Sequence, residues 1–229
     1  MRTIIIGDIH GCNRALQRLL GKLAPREEDT LILLGDLFDR GPESWEVLQT
    51  VKQLADMLSE HFVLLRGNHE DYLLQEKQSL FQRMVWDRVG RQATLNSFKR
   101  HRQRMEEAAP WIRAHCTLFH KGEGFQCVHA GVLVEPIEMN DTQTLIHDHL
   151  AALQNHYAGL LTITGHIALG APTWFTGDGE NVLQVEYGTW EELPERGILC
   201  IDTGCGKGGK LTGMVIEDGR FRLDCAAQE

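Results

Sequence analysis

The chain has 229 residues, 42% of them hydrophobic, with 32 acidic against 23 basic side chains and a formal net charge of −9. That apolar fraction can build a core but is too low for a membrane protein, and no apolar stretch approaches the roughly 18 residues that a spanning helix needs. The negative balance speaks against a stable nucleic-acid complex, and the length suits one large α/β domain.

Residues 2–6 form an apolar, strand-like run that passes through Gly7 to Asp8, with His10 two residues further on. Removing a leader here would remove that run, so the sequence is read as lacking a signal peptide and as cytoplasmic. Residues 13–23 place Leu16, Leu19, Leu20 and Leu23 at helical spacing, with Asn13 as the N-cap. After Pro25 a second run, 30–34, leads through Gly35 to Asp36. Pro42 opens a second helical pattern, 43–58, with Val47, Leu48, Val51, Leu54 and Leu58 on one face. A third run, 62–65, is followed by Arg66-Gly67-Asn68-His69. Strand and helix alternating in this way is the pattern of parallel βαβ units.

From about residue 70 to 115 the chain becomes helical and charged, carrying Trp86, Phe98 and Trp111. It is read as a helical cap beside the site rather than a separate domain, and its basic stretch Lys99-Arg100-His101-Arg102-Gln103-Arg104 as a solvated helix face. Run 125–128 delivers His129, and run 160–164 delivers Gly165-His166. The last third reads as antiparallel strands at 182–187, 198–202, 211–217 and 220–223, with hairpin-turn chemistry at Glu217-Asp218-Gly219-Arg220. A parallel half followed by an antiparallel half predicts an α/β fold of two packed sheets flanked by helices, one domain over 1–229. The six cysteines form no CxxC pair and are read as reduced thiols.

In an open α/β sheet, ligands bind beyond the carboxyl ends of the strands. Five strand ends here supply Asp8, His10, Asp36, Asn68, His129 and His166. Singly, each is more often a turn residue or a satisfied buried histidine. Six converging together make a metal centre with room for two ions. Carboxylate, amide and imidazole without thiolate suit two divalent ions, Mn²⁺ foremost, with Fe or Zn as alternatives. His115, His120, His147, His149 and His156 are read as structural, and His61 and His101 as surface positions.

The ordered motifs Asp8-Ile9-His10-Gly11, Gly35-Asp36-Leu37-Phe38-Asp39-Arg40-Gly41, Gly67-Asn68-His69-Glu70, His129-Ala130-Gly131 and Gly165-His166 resemble those of the calcineurin-like metallophosphoesterases. Within them they resemble the phosphoprotein phosphatase branch, which includes bacterial protein Ser/Thr phosphatases and symmetrical diadenosine tetraphosphatases. Residues 86–98 resemble the bacterial members' Gly-Gly-x-x-Thr-Leu cap segment, with Arg91 in place of the second glycine, and residues 201–212 their closing strand and turn. The resemblance implies an αββα sandwich with a helical cap. It implies Asp8 and His10 on one metal, Asn68, His129 and His166 on the other, and Asp36 bridging both. It further implies that metal-activated hydroxide attacks phosphorus while His69, oriented by Asp39, protonates the leaving group, and that Arg40 and Asn68 contact phosphate. Arg66 and Glu70 are expected to pair around their turn.

Two departures stand out. Many relatives carry Trp-Ile-Arg between the last two histidine ligands, whose arginine is a second phosphate contact. Here the stretch is Leu145-Ile146-His147-Asp148, and no arginine lies between His129 and His166. His147 at acid pH or Arg91 from the cap could replace it, or phosphate is held more weakly. The usual Gly-His-Thr is Gly165-His166-Ile167.

The main expectation is a phosphomonoesterase acting on phosphoprotein or a small phosphate ester, of the protein Ser/Thr phosphatase type. The alternative is hydrolysis of dinucleoside polyphosphates such as diadenosine tetraphosphate, with Trp86, Phe98 or Trp174 as a wall for stacking a base. A non-catalytic metal-binding protein is the distant third.

Overall fold

The structure, a computed structural model, describes residues 2–75, 77–148, 157 and 159–228. The chain opens with β1 (Thr3–Ile6), α1 (Asn13–Leu23), β2 (Thr30–Leu33), α2 (Ser44–Leu58) and β3 (Phe62–Leu65). These strands are parallel neighbours, with Ile5 opposite Ile32 and Ile32 opposite Val63. Four helices follow: α3 (Asn68–Leu74), α4 (Leu80–Arg88), α5 (Arg91–Arg100) and α6 (Ala109–His115). Next come β4 (Cys116–Thr117), β5 (Phe119–Lys121), β6 (Phe125–Val128), α7 (Thr142–His147), β7 (Leu161–Thr164) and β8 (Thr173–Thr176). The chain closes with β9 (Val182–Gln184), β10 (Glu191–Glu192), β11 (Gly197–Cys200), β12 (Lys210–Glu217) and β13 (Arg220–Ala227).

The strands form two mixed sheets, ordered β10-β13-β12-β1-β2-β3-β4 and β5-β6-β7-β11-β8-β9. Period-two alternation sorts the side chains of the first sheet between two cores. Ile4, Ile6, Leu31, Leu33 and Leu64 face α1 and α2. Ile5, Ile32, Leu34 and Leu65 face the second sheet, where they meet Phe125, Cys127, Leu161, Ile163 and Leu199. Burial on both faces explains why these strands read as unbroken apolar runs. Helix α1 buries Ala15, Leu16, Leu19 and Leu23. It closes on β12 where Gly213 leaves space for Leu19 and Leu23.

Two expectations need correction. The C-terminal strands do not form a separate antiparallel half. β12 pairs antiparallel with β1, Ile5 opposite Met214, and β13 continues that sheet. The second sheet instead holds the parallel trio β6, β7 and β11. Pairing with β12 covers the edge that β1 would otherwise expose. Asn13 is the first helical residue of α1, not its cap; its Oδ1 accepts from Thr50 Oγ1 at 2.8 Å. The hairpin at 217–220 is as expected: Asp218 and Gly219 have φ of 50° and 74°, as a two-residue primed turn requires. No helix among the described residues is long and apolar enough to cross a membrane. His149 and His156 lie outside the described residues.

Candidate metal and phosphate site

The carboxyl ends of β1, β2, β3, β6 and β7 bring Asp8, His10, Asp36, Asn68, His129 and His166 to one place, at the mouth between the sheets. Three of the five turns pass through the left-handed region, where His10, Asp36 and His166 themselves sit at φ of 46°, 49° and 68°. Such φ values are uncommon for residues with side chains and persist where surrounding contacts over-determine them. Part of that determination is visible. Asp36 Oδ1 accepts the His69 N–H at 3.0 Å, and Asp8 Oδ2 accepts the His166 N–H at 3.0 Å. A side chain at Gly67 or Gly165 would collide with these same carboxylates.

Asp36 divides the cluster. Its Oδ2 lies 3.5 Å from His10 Nε2 and 3.8 Å from His69 Nε2. Its Oδ1 lies 3.4 Å from His129 Nε2. Asn68 Oδ1 is 3.1 Å from His129 Nε2 and 3.0 Å from His166 Nδ1. Two groups with the spacing to hold an ion result, His10/Asp36/His69 and Asp36/His129/His166, and they share Asp36. Asp8 Oδ2 stands 3.9 Å from His10 Nε2, on the first side.

The donor set fits cations. His10 Nδ1 is 2.9 Å from the Phe38 carbonyl and His129 Nδ1 is 2.8 Å from the Leu34 carbonyl. A carbonyl only accepts, so each Nδ1 carries the proton and each Nε2 turns a lone pair inward. His10 Nε2, Asp8 Oδ1 and Asp202 Oδ2 are buried with no hydrogen-bond partner. Buried orphan acceptors clustered in this way are costly unless positive charge sits among them. Burial, with the nearby Asp202 and Asp36 charges, drives the Asp8 carboxyl well above the ordinary range, against the pull of Arg40. Burial also holds His10 and His129 below the usual imidazole range, which keeps them neutral and able to ligate.

His69 behaves differently. Burial lowers its pKa, but the Asp36 charge and the Asp39 hydrogen bond outweigh burial and raise it above the ordinary value. Its Nδ1 donates to Asp39 Oδ2 at 2.6 Å. Asp39, fully buried, and Arg40 both sit at positive φ, 71° and 65°, in the turn after β2. The Arg40 charge is near enough to act on Asp8, His10, His69 and Asp202.

A family model described as calcineurin-like phosphoesterase matches residues 1–194. The chain belongs to that family. Among curated relatives, the symmetrical bis(5′-nucleosyl)-tetraphosphatase of Klebsiella pneumoniae is 28% identical over 268 residues, covering 96% of this chain and 93% of that protein. The protein of the same description from Proteus mirabilis is 28% identical over 274 residues, covering 96% of each. Among solved structures, a metallophosphoesterase from Sphaerobacter thermophilus aligns with a TM-score of 0.64 at 18% identity, over 99% of this chain and 88% of that one. A cold-active protein-tyrosine phosphatase of a psychrophilic Shewanella aligns at 0.62 and 17% identity, over 100% and 80%. These structural likenesses bear on the fold, which they share.

Four positions in this phosphoesterase, Arg66, Glu70, Phe98 and Trp174, differ from the sequence expectation. Arg66 pairs with Asp71, not Glu70. Glu70 instead accepts the backbone N–H groups of Asp36, Leu37 and Gly67 at 2.7, 2.9 and 3.0 Å, tying β2 to β3. Burial and the Asp36 charge push its carboxyl up to about 7. Arg91 donates to Asp87 Oδ1 at 3.0 Å and lies over the Trp86 ring, 4.9 Å from its centroid. His147 Nε2 is 3.4 Å from Asp71 Oδ2. Phe98 is core, packed edge-on against Phe38, and Trp174 donates to the Arg196 carbonyl, so neither forms a wall of this site. Asp202 was not among the expected site residues. It follows β11, so it stands at a sixth strand end, and that position was its signal.

Proposed function

We propose that the protein is a dinuclear metal-dependent phosphoesterase that cleaves dinucleoside polyphosphates symmetrically, diadenosine tetraphosphate being the model substrate. The observation that carries this reading is the match to symmetrical tetraphosphatases along almost the whole of both chains. It favours the polyphosphate alternative over the phosphoprotein one. We take residues 1–229 as one catalytic domain and the helices of 70–115 as its cap.

In this reading Asp8, His10 and Asp36 would hold one divalent ion and Asp36, Asn68, His129 and His166 the other, Mn²⁺ being the first candidate. Bound ions supply the positive charge that acidifies water and offsets charge building on phosphorus. Arg40 and Asn68 hold oxygens of the attacked phosphate. A water oxygen bonds to phosphorus, the bridging P–O bond breaks, and the departing diphosphate takes the proton that His69 carries on Nε2. Asp39 keeps the imidazole pointing at that oxygen. A cavity of about 260 Å³ beside the site, lined by Tyr72, Trp86, Arg83 and Arg91 among others, is where the departing nucleotide fits. All six cysteines are unbridged, as suits a reducing compartment such as the cytoplasm.

The test is a panel of dinucleoside tetraphosphate, nucleotides and phosphopeptides with Mn²⁺ present. Conversion of diadenosine tetraphosphate to ADP alone, at the highest kcat/KM of the panel, is the expected result. Preference for phosphopeptides, or ATP and AMP as products, would overturn it.

A further inference from the structure

Asp39 holds more partners than the orientation of one imidazole requires. Its Oδ2 accepts from His69 Nδ1 at 2.6 Å and also from Trp86 Nε1 at 2.6 Å. Its Oδ1 accepts from Thr94 Oγ1 at 2.7 Å, and its own N–H donates back to Thr94 Oγ1 at 2.8 Å. The Thr94 hydroxyl has one proton, given to Asp39, so its 3.0 Å contact with Ser44 Oγ is donated by Ser44. Asp39, Ser44 and Thr94 are wholly buried, and Trp86 is 4% exposed.

Two of the three side-chain donors on Asp39 therefore come from α4 and α5, not from the strand ends. The junction of those helices also presses on the same turn. Gly90, at φ 118°, lies so close to Arg40 that any side chain there would strike the Arg40 backbone. The Arg40 N–H points at the Gly90 carbonyl at 3.4 Å. A turn with two consecutive residues at positive φ is strained, and these contacts hold it in place.

We infer that Trp86 and Thr94 are positioning residues for proton transfer: through Asp39 they fix the line along which His69 meets the leaving-group oxygen. The inference rests on His69 as the proton donor in the reading above. An indole N–H and a hydroxyl can both anchor a carboxylate without competing for its proton, and neither needs to touch the attacked phosphate. Trp86 also lines the cavity assigned to the nucleotide, and the test therefore uses small phenyl phosphates. Losing Thr94 removes the side-chain donor on Oδ1, and losing Trp86 leaves His69 as the only side-chain donor on Oδ2, so in either case the carboxylate plane is less firmly held. His69 then tilts, and alignment within a fraction of an ångström is what acid catalysis depends on. The loss should fall on leaving groups that need a proton and spare those that do not.

The experiment uses the Mn²⁺-loaded protein and a series of substituted phenyl phosphates of graded leaving-group acidity. Trp86→Phe and Thr94→Val should lose about tenfold or more in kcat on phenyl phosphate and less than about threefold on p-nitrophenyl phosphate, with KM unchanged. Thr94→Ser, which keeps the hydroxyl, should follow the wild type across the series. Metal content at the wild-type level certifies that each variant is folded and loaded. An equal loss on every substrate, or no loss on any, would overturn the inference. His69→Asn in the same series separates the two levels of the argument. If it does not steepen the dependence on leaving group, the acid assignment fails, and this inference fails with it. If it does and Trp86→Phe does not, only the positioning role fails.

Discussion

The Nε2 atom of His129 and the Oδ1 atom of Asn68 face each other at 3.1 Å with no proton between them. His129 has its proton on Nδ1, given to the Leu34 carbonyl, and an amide oxygen is only an acceptor. Two lone pairs held together in a buried place repel unless a cation, or a proton on His166 Nδ1 at 3.1 and 3.0 Å from the two atoms, joins them. The same is true of His10 Nε2, whose Nδ1 proton is committed to the Phe38 carbonyl. Asp36 serves both sides, so Asp36→Ala should lose both ions and His129→Ala principally one. Elemental analysis gives the count. With free Mn²⁺ at about 100 times Kd, each bound ion adds about 2.7 kcal/mol to stability, a rise in Tm of roughly 5–10 °C per ion for a chain of this size. Asp36→Ala should show no such rise; an undiminished rise would remove the bridging role.

His69 should reveal itself by what it does not affect. Burial lowers its pKa, but the Asp36 charge and the Asp39 hydrogen bond outweigh burial and favour the protonated imidazole that a basic leaving group needs. His69→Asn is expected to lose about 10²–10⁴-fold on an alkyl phosphate such as phosphoserine. On p-nitrophenyl phosphate, and on dinucleoside tetraphosphate, whose leaving oxygens are far less basic than an alkoxide, the loss should be much smaller. Steady-state rates on the three substrates decide it, and equal losses would make His69 a binding residue.

Both predictions start from residues legible in the sequence, because a strand buried on both faces is an unbroken apolar run and the residue after it must enter the crevice. What the sequence did not show depends on pairing between distant segments. β12 joins β1 because of an open sheet edge, and no local pattern in 210–217 records which sheet needs it. Trp86 reads as an aromatic in a charged helix; that its indole reaches Asp39 follows only from how α4 lies over the turn after β2. Glu70 was misassigned for a related reason. Next to Arg66 in sequence it invites an ion pair, yet its helix turns it toward the three backbone N–H groups that β2 and α3 leave unsatisfied.

Arg91 is one of the candidates to stand in for the arginine that is missing near His147. The structure lays it against Trp86 and Asp87 in the wall of the cap cavity, with its side chain 11% exposed. On the function proposed above, a guanidinium in that wall would meet the distal phosphates of a long substrate rather than the attacked one. Arg91→Ala should therefore raise KM for dinucleoside tetraphosphate about tenfold, equivalent to about 1.4 kcal/mol, and leave p-nitrophenyl phosphate within about twofold. His147→Arg should change neither, because Asp71, which already faces His147 and Arg66, takes the new guanidinium. A lower KM in His147→Arg would show that phosphate binding is short of one contact.

Remote from the site, Arg2 closes the start of β1 onto Asp29, the residue that leads into β2, with Nη2 2.5 Å and Nε 3.2 Å from its carboxylate. Burial pushes the Asp29 carboxyl up, but the Arg2 guanidinium and the Arg26 backbone N–H outweigh it and hold it below the ordinary value. A carboxylate depressed by folding contributes stability above its unfolded pKa, and that contribution disappears as pH falls through the folded value. Asp29→Asn should accordingly cost about 1–3 kcal/mol at pH 7. The gap to the wild type should begin to close near pH 4 and be largely gone well below it. Urea unfolding of both proteins, with metal removed by chelator so that ligand protonation does not intrude, measures the difference at each pH. A gap that stays constant from pH 7 to pH 3 would mean that Asp29 acts through shape and neutral hydrogen bonds rather than through its charge.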